Sequence, residues 1–203
     1  MIVNAKYAIS TLPLGVLQQR VVQFSPPFSK KKTKGIDGMR MGTYCTIYLQ
    51  FSHNFWGNKE VLWFVGYSVG RFAWALNLDH KKYFPGSNII TFHMGGHNAV
   101  QVDSQSIHKT KFEIMTKPRN VYGESILDPI GIHVSNWTHN PFSYGSYSAW
   151  PLGYTKKSWE AMRRNEGRLY FAGEHTNYGF GYVNGAFDTG IKSAQQIIEQ
   201  QMW

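Results

Sequence analysis

The sequence has a single cysteine, Cys45, and no long run of apolar residues. One cysteine excludes an internal disulfide bond, so a disulfide-stabilised fold is ruled out. No stretch approaches the roughly 18–20 uninterrupted apolar residues that a transmembrane helix needs, and the first residues lack the pattern of a secretory signal peptide. The compartment therefore stays open. We expect Cys45 to lie on the apolar face of a strand as a small hydrophobic side chain.

Acidic residues are also scarce, since 12 Asp and Glu stand against 21 Lys and Arg, for a formal net charge of +9. Such an excess is typical of nucleic-acid-binding proteins, but here most of it is spread along the chain. The one dense run, Lys30–Lys34, follows two prolines and is predicted to form the solvated face of a short helix. We therefore expect no nucleic-acid partner. A positive surface would also repel a cationic substrate.

The pattern of apolar residues predicts an α+β fold, a mostly antiparallel sheet with helices. The chain is long enough for a real core, with 203 residues of which 42% are hydrophobic. A turn is expected at Pro13–Gly15, and Pro118 is expected to end the central helix. Strands are predicted over 6–10, 43–51, 61–67, 72–78, 88–93, 130–137 and 169–172, and helices over 29–38, 104–117 and 186–200.

Side chains alternate along the strand predicted over 43–51. Polar and aromatic residues occupy one face and apolar residues the other, and the first set includes Tyr44, Thr46 and Tyr48. A period of two is the signature of a strand buried on one side. The second face of this strand should therefore line a pocket or meet solvent.

Near the end of the chain, a short apolar run, Leu169–Ala172, leads into Gly173, Glu174 and a glycine-rich turn. The closing helix follows this turn. A strand, a flexible loop and a helix N-terminus in this order bring backbone N–H groups together on a ligand atom that carries partial negative charge. This segment is therefore the candidate binding site.

Four segments in the same order resemble landmarks of the flavin-containing amine oxidases, the family of monoamine and polyamine oxidases and lysine-specific histone demethylases. The polyamine oxidase branch is the most similar. The resemblance implies oxidation of an amine to an imine, with hydride passed to FAD and O2 reduced to H2O2. The segments are 7–17, 42–51 with the pair Phe55-Trp56, 145–153, and 167–186.

A complete member of this family begins with a strand, a G-x-G-x-x-G turn and a helix that hold the FAD pyrophosphate. This chain has no such fingerprint, and Gly179, Gly181 and Gly185 are spaced one residue too widely. The resemblance therefore implies the C-terminal part, roughly two-fifths, of an amine oxidase. FAD would bind only with the missing N-terminal half, which a complementary chain could supply. The expected domains are 1–20, the end of an FAD-domain segment; 21–165, a substrate-binding domain; and 166–203, the last strand and helix of a doubly wound FAD domain.

The resemblance also implies roles for individual residues, each of which has a structural alternative. Tyr147 and Tyr182 match the aromatic pair that holds the substrate amine, or they are core tyrosines. Glu174 accepts from the FAD ribityl chain, or it is a solvated loop residue. The other residues implied to contact FAD are Gly173, Tyr182, Val183, Trp137 and Trp150, although core packing explains the two tryptophans as well.

Thr46 departs from the family pattern, because polyamine oxidases carry a lysine at this place, held through a water near flavin N5. No catalytic residue is therefore assigned. No metal is expected either, since His93 and His97 enclose two glycines that disfavour the helix on which such a pair would converge. The alternative to an amine oxidase is a non-catalytic remnant or binding module that keeps part of the fold without holding FAD. The amine and the C–N bond broken stay open.

Overall fold

The computed structural model describes residues 2–64 and 71–201 of the chain. Contacts divide it into two compact units, a terminal unit of residues 1–42 and 140–203 and a sheet unit of residues 43–139. These boundaries differ from the domain boundaries expected at 20 and 165, and the assignment of segments to FAD and substrate domains stays a prediction. The described elements are β1 (Ala8–Ser10), α1 (Leu14–Gln19), α2 (Lys30–Gly38), β2 (Arg40–Gly42), β3 (Tyr44–Gln50), β4 (Val61–Trp63), β5 (Trp74–Asn77), β6 (Ile89–Gly95), α3 (Gly96–Asp103), α4 (Ile107–Tyr122), β7 (Gly131–Val134), β8 (Tyr147–Ala149), α5 (Lys156–Arg163), β9 (Leu169–Phe171), a 3-10 turn (Glu174–Thr176) and α6 (Val183–Gln201).

The sheet unit is built on an antiparallel sheet of five strands in the order β4-β5-β6-β3-β7. The interior strand β3 shows the predicted alternation, because Cys45, Ile47 and Leu49 are fully buried while Tyr44 and Thr46 are half-buried. The buried face packs with residues of α3 and α4 into one hydrophobic core. The α+β fold class with a mostly antiparallel sheet is thus confirmed. Residues 65–67 of the strand predicted over 61–67 lie outside the described part of the chain.

The prediction that Pro118 ends the central helix is wrong. Helix α4 begins after Ser106, whose hydroxyl accepts from the N–H of Lys109, and it continues past the proline to Tyr122. Pro118 removes one intrahelical hydrogen bond, but its ring is buried against the core side of the helix. Arg119 holds the last turn through Asp128, with 2.7 Å between the guanidinium and a carboxylate oxygen. Gly123, with φ of +108°, ends the helix instead.

The terminal unit contains two small sheets and a helical core. Strands β1 and β9 pair in parallel, β2 and β8 pair in antiparallel, and α1, α2 and α5 enclose the core. The turn expected at Pro13–Gly15 is wrong, because α1 begins at Leu14 directly after the proline. A Cβ added at Gly15 would overlap the carbonyl oxygen of Ser143. The glycine is therefore a close-packing position inside a helix.

The prediction that the lysines of residues 30–34 are all solvated is wrong for one of them. Lys32 is 1% exposed and points into the terminal unit, while Lys30, Lys31 and Lys34 are exposed. Helix α2 begins at Lys30, one residue later than predicted, because Ser29 is its N-cap and the serine hydroxyl accepts from the N–H of Lys32. The apolar residues around the run gave no sign that one lysine of four would turn inward.

The buried ammonium of Lys32 is held by main-chain oxygens. It donates to the carbonyls of Met162 and Arg164 at the C-terminal end of α5, and it lies 3.6 Å from the centroid of the Phe171 ring. Carbonyls at a helix end have no intrahelical donor, so the ammonium satisfies them. Burial lowers the pKa of Lys32 from its usual 10.5 to about 8, although the nearby Glu166 carboxylate raises it.

We expect the difference in free energy of unfolding between the parent chain and the Lys32→Met variant to depend on pH. The pKa of Lys32 is about 8 in the folded state and near 10.5 in the unfolded state. Between these values the unfolded chain binds more protons, so the free energy of unfolding of the parent rises with pH, by up to about 1.4 kcal/mol per pH unit, relative to the variant. Urea denaturation at about pH 8, 9 and 10 measures this difference.

The matched control is Lys34→Met, which removes an exposed lysine from the same helix. It reports how loss of one positive charge alone changes the free energy of unfolding. A parent-to-variant difference that stays constant with pH for Lys32→Met would contradict the assignment of a buried, titrating ammonium.

Candidate functional site

Glu174 follows β9 after Ala172 and Gly173, and it accepts hydrogen bonds from two other segments of the terminal unit. One carboxylate oxygen accepts from the N–H of Ser148 at 2.9 Å. The other accepts from the Ser148 hydroxyl at 2.7 Å and from the N–H of Gly181 at 2.6 Å. The half-buried carboxylate therefore ties β8 to the turn that precedes α6. We call this arrangement the Glu174 clasp. A free loop carboxylate would make no such set of contacts.

By count of lone pairs, the carboxylate can accept one hydrogen bond more than the clasp supplies. An ionised carboxylate offers about four lone-pair sites, and the clasp uses three of them. Ser148 was not singled out from the sequence, because its partner Glu174 is 26 residues away and no local pattern joins them. The only available signal was that Ser148 lies within the 145–153 landmark.

Gly173 shapes the backbone that leads into the clasp. Its φ is +134°, and a Cβ added there would stand 2.8 Å from Cε1 of His175. Its N–H donates to the hydroxyl of Thr189 on α6 at 3.0 Å. His175 is 2% exposed, and burial lowers its pKa to about 4, so the ring is neutral at pH 7. Only glycine fits position 173, because any side chain would clash with this buried ring.

The closing helix starts three residues earlier than predicted, at Val183 rather than Ala186. The difference arises because Gly185, a poor helix former, lies in the first turn and packs closely; a Cβ there would be 3.0 Å from the carbonyl oxygen of Gly179. Val183 is 86% exposed, so the start of the helix is open at this point. First-turn N–H groups of a helix have no intrahelical acceptor, and the dipole favours negative charge near them.

The two tyrosines assigned to the substrate both lie in the terminal unit near the clasp. Tyr147 is the first residue of β8, and a Cβ added at Gly181 would stand 3.6 Å from its ring. Tyr182 is the next residue after Gly181. Both rings reach the surface, at 42% and 69% exposure. They are not buried core tyrosines, and their role toward an amine stays a prediction.

The two tryptophans lie in different units. Trp150, just after β8, belongs to an aromatic cluster in which its ring stacks on Phe180, with centroids 5.9 Å apart and 12° between the planes. The rings of Trp159, Tyr178 and Tyr154 also belong to this cluster, at 6.0 Å, 5.6 Å and 5.6 Å from Trp150. Trp137 follows β7 in the sheet unit and is 44% exposed. Trp150 therefore packs on the loop that leads into α6.

Thr46 lies in the sheet unit, directly opposite His93 in the register of β3 and β6. The threonine hydroxyl is 3.4 Å from Nδ1 of His93, and Nε2 of the same ring is 2.9 Å from the hydroxyl of Thr91. The imidazole stacks on Trp74 at 4.9 Å, with 16° between the planes. Burial lowers the pKa of His93, so the ring is neutral at pH 7. His93 had been weighed only as a metal ligand.

His93 lies on β6 and His97 is the second residue of α3, so no single helix carries both histidines. Within residues 2–64 and 71–201, no group of three or more His, Cys, Asp or Glu side chains is placed to hold a metal ion. In the same described ranges, no helix has both the length and the apolar character that crossing a bilayer requires.

A model of the flavin containing amine oxidoreductase family matches residues 2–198. The chain belongs to this family. It is 32% identical over 198 residues to polyamine oxidase 1 from Zea mays, covering 96% of this chain and 40% of the relative. It is 28% identical over 204 residues to lysine-specific histone demethylase 2 from Homo sapiens, covering 96% and 24%. The fold matches that of cyclohexylamine oxidase from Brevibacterium oxydans with a TM-score of 0.78 at 19% identity, covering 99% of this chain and 44% of that one.

The chain thus spans about 40% of the length of the polyamine oxidases it matches. The family contains flavin, and the partial coverage agrees with an FAD site that needs residues outside the matched region. The residues present fit one end of such a cofactor. The clasp carboxylate has acceptor capacity left, the start of α6 is exposed at Val183, and Gly181, with φ of +80°, adds no side chain between them.

Proposed function

We propose that this chain is the C-terminal portion of an FAD-dependent amine oxidase of the polyamine type. The observation that supports the proposal best is the Glu174 clasp, which fixes a carboxylate beside the exposed start of α6 in a chain of this family. The clasp holds Glu174 in one place, so a hydroxyl donor of the cofactor would meet a prearranged acceptor. Binding to a preorganised acceptor loses little conformational entropy, because the side chain is already ordered.

FAD, when bound, would supply the redox chemistry of the proposed reaction, in which the amine loses two electrons and two protons to become an imine and O2 gains them to become H2O2. The chain supplies orientation. Glu174 would accept from the ribityl hydroxyls, and the N–H of Val183 would donate to the pyrimidine edge of the flavin, where the helix dipole favours negative charge. Tyr147 and Tyr182 would hold the amine between aromatic faces, which attract an amine without adding a competing charge.

The substrate class that we propose is an amine or polyamine, in line with the names of the relatives. The net charge of +9 opposes attraction of a cationic substrate, so acidic groups that steer it would have to come from elsewhere. We propose that an N-terminal segment, on the same polypeptide or on a complementary chain, supplies them together with the pyrophosphate loop. The domain division at residues 20 and 165 belongs to this proposal.

One observation favours the alternative, a non-catalytic remnant. Thr46 stands where the family resemblance implies a lysine, and its hydroxyl faces a neutral imidazole instead of an ammonium. The fold would then persist without fast amine oxidation. Rate measurements on the assembled protein, given in the Discussion, separate the two functions.

Alone, the 203-residue chain is expected not to retain FAD stoichiometrically. The reason is that the G-x-G-x-x-G turn, which supplies backbone N–H groups to the pyrophosphate, is not in the sequence. The chain is purified, incubated with FAD and dialysed, and its visible spectrum is recorded. A yellow protein that keeps one flavin per chain after dialysis would contradict the expectation. Flavin that stays with the protein after denaturation would show that it is attached covalently.

A further inference from the structure

The excess positive charge of the chain lies mainly in the terminal unit. This unit holds 13 Lys and Arg against 6 Asp and Glu, whereas the sheet unit holds 8 against 6. The proposed reaction makes no use of this charge, because a positive surface repels a cationic amine. Net charge of one sign attracts ligands of the opposite sign. The terminal unit is therefore suited to an anionic ligand.

A cleft lined by several cations lies in this unit between the C-terminal end of α5, strand β9 and helix α6. Its volume is about 440 Å³, which is within the range of small-molecule sites. The three cations are Arg163 and Arg164 at the end of α5 and Lys192 on α6. We call this site the α5–α6 cleft. Lys192 is 28 residues from Arg164 in the sequence, so no local pattern indicated the cluster.

Within residues 2–64 and 71–201, the three cations of the cleft form no ion pair. Arg163 is held in place without a counter-ion, because its guanidinium lies 4.8 Å from the centroid of the Trp159 ring. One carboxylate, that of Glu160, also lines the cleft. Like charges that share a cleft repel one another, and an anion bound among them removes this repulsion. The three cations therefore need more negative charge than Glu160 supplies.

The floor of the cleft is made of buried hydroxyl groups that already donate to main-chain oxygens. The hydroxyl of Thr176 donates to the carbonyl of Gly173 at 2.8 Å, and that of Ser193 donates to the carbonyl of Phe171 at 3.0 Å. These groups make a rigid floor and leave the anion to other donors. Gln196 lines the cleft as well, and within the described part of the chain its amide has no hydrogen-bond partner. The donors available to a ligand therefore include two guanidinium groups, one ammonium and one amide.

We propose that the α5–α6 cleft binds a soluble phosphate monoester, whose phosphate oxygens accept from Arg163, Arg164 and Lys192. Guanidinium groups are planar forks that donate two parallel hydrogen bonds to a phosphate, and an ammonium adds a compact charge. Three cations and one carboxylate give the cleft a charge of +2, which balances the roughly −2 charge of a phosphate monoester at pH 7. The volume of the cleft leaves room for the organic group of the ester.

This site is separate from the flavin contact proposed for α6. Lys192 lies nine residues beyond Val183, and at 1.5 Å per residue this spacing corresponds to about 14 Å along the helix. The N-terminal end of α6 would meet the flavin, whereas the cleft lies along the middle of the helix. Binding of a phosphate monoester therefore requires neither flavin nor amine, and the 203-residue chain alone is sufficient to test it.

Isothermal titration calorimetry of the chain with phenyl phosphate, at constant ionic strength, tests the proposal. We expect one ligand per chain with a Kd below about 1 mM, since several charge-assisted hydrogen bonds act together. Arg164→Gln and Lys192→Gln should each weaken binding at least about tenfold, because each removes a charged donor. Glu160→Gln should tighten binding, because it removes a carboxylate that repels the ligand. All three residues are exposed, and the urea denaturation midpoint checks that each variant is folded like the parent.

The matched control is Lys157→Gln, which removes an exposed charge from α5 outside the cleft and should leave the Kd unchanged. Phenyl phosphate that does not bind at millimolar concentrations overturns the proposal. An equal loss of affinity in Lys157→Gln and Arg164→Gln also overturns it, because diffuse charge then holds the anion. Inorganic phosphate that binds as tightly as phenyl phosphate overturns the assignment of an ester. Binding to vesicles of phosphatidylcholine and phosphatidic acid, without binding to phenyl phosphate, overturns the proposal as well, because the ligand is then a lipid surface.

Discussion

The Glu174→Ala variant of the assembled oxidase is expected to bind FAD about 10- to 150-fold more weakly than the parent. A hydrogen bond to a charged group contributes roughly 1.5–3 kcal/mol, and this range corresponds to that loss in affinity. The same change removes the acceptor for the N–H groups of Ser148 and Gly181. The variant should therefore also be less stable without flavin, by about 1–3 kcal/mol for each donor left buried without an acceptor. Quenching of flavin fluorescence on titration gives the affinity, and urea denaturation of the flavin-free protein gives the stability.

These two measurements separate two roles of one carboxylate. Glu174→Gln keeps an acceptor oxygen in the clasp and should recover part of the stability. Glu160→Ala, which removes an exposed carboxylate of the same unit, controls for the loss of a negative charge. Parent-like flavin affinity combined with lower stability would mean that Glu174 only joins β8 to the turn before α6 and does not contact the cofactor.

A lysine introduced by Thr46→Lys should speed flavin reduction by the amine, or its reoxidation by O2, by about 10- to 100-fold in the assembled oxidase. A positioned acid–base group typically contributes 10²–10⁴-fold, and one added to an existing site recovers only part of that. Position 46 is half-buried and its hydroxyl is 3.4 Å from His93, a neutral ring. The added ammonium would lose hydration at this half-buried position, and this loss would lower the pKa of the new lysine. Stopped-flow absorbance of the two half-reactions measures both rates.

The control for this variant is Thr46→Met, which supplies a side chain of comparable length without an amine. A rate increase in both variants would assign the effect to bulk rather than to acid–base chemistry. Unchanged rates in a Thr46→Lys variant with full flavin content would contradict the placement of this strand beside the cofactor. The remnant function would gain support if the parent is also slow with every amine tested.

A local pattern allowed strand β3 to be predicted, because its burial repeats with a period of two residues. In β3 the buried and half-buried side chains alternate as the sequence indicates, since one face meets the core of its own unit. The helix predicted over 29–38 likewise starts within one residue of its predicted start, and Ser29 caps it by accepting from the N–H of Lys32. These features depend on neighbours within a few residues, and the sequence displays such neighbours directly.

Features that depend on distant partners were missed. Helix α5 was not predicted, although Thr155 caps it, because its two buried residues, Trp159 and Met162, are isolated among charged ones. The burial of Lys32 could not be predicted, because its ammonium is held by carbonyl oxygens 130 and 132 residues away in the sequence. In the candidate site, the sequence indicated Glu174 but not its donors. The periodicity of apolar residues along a sequence does not indicate which distant segments come together in the fold.

The hydrogen bonds of Lys32 make position 32 less tolerant to substitution than the two positions that supply its acceptors. Its acceptors are the carbonyl oxygens of Met162 and Arg164, which every amino acid possesses. Side chains at 162 and 164 can therefore change over evolution without removing an acceptor, as long as α5 ends at the same place. Position 32 has no such freedom, because only a long side chain with several donors reaches both oxygens from α2. In an alignment of family members, we therefore expect lysine to be constant at position 32 and the residues at positions 162 and 164 to vary.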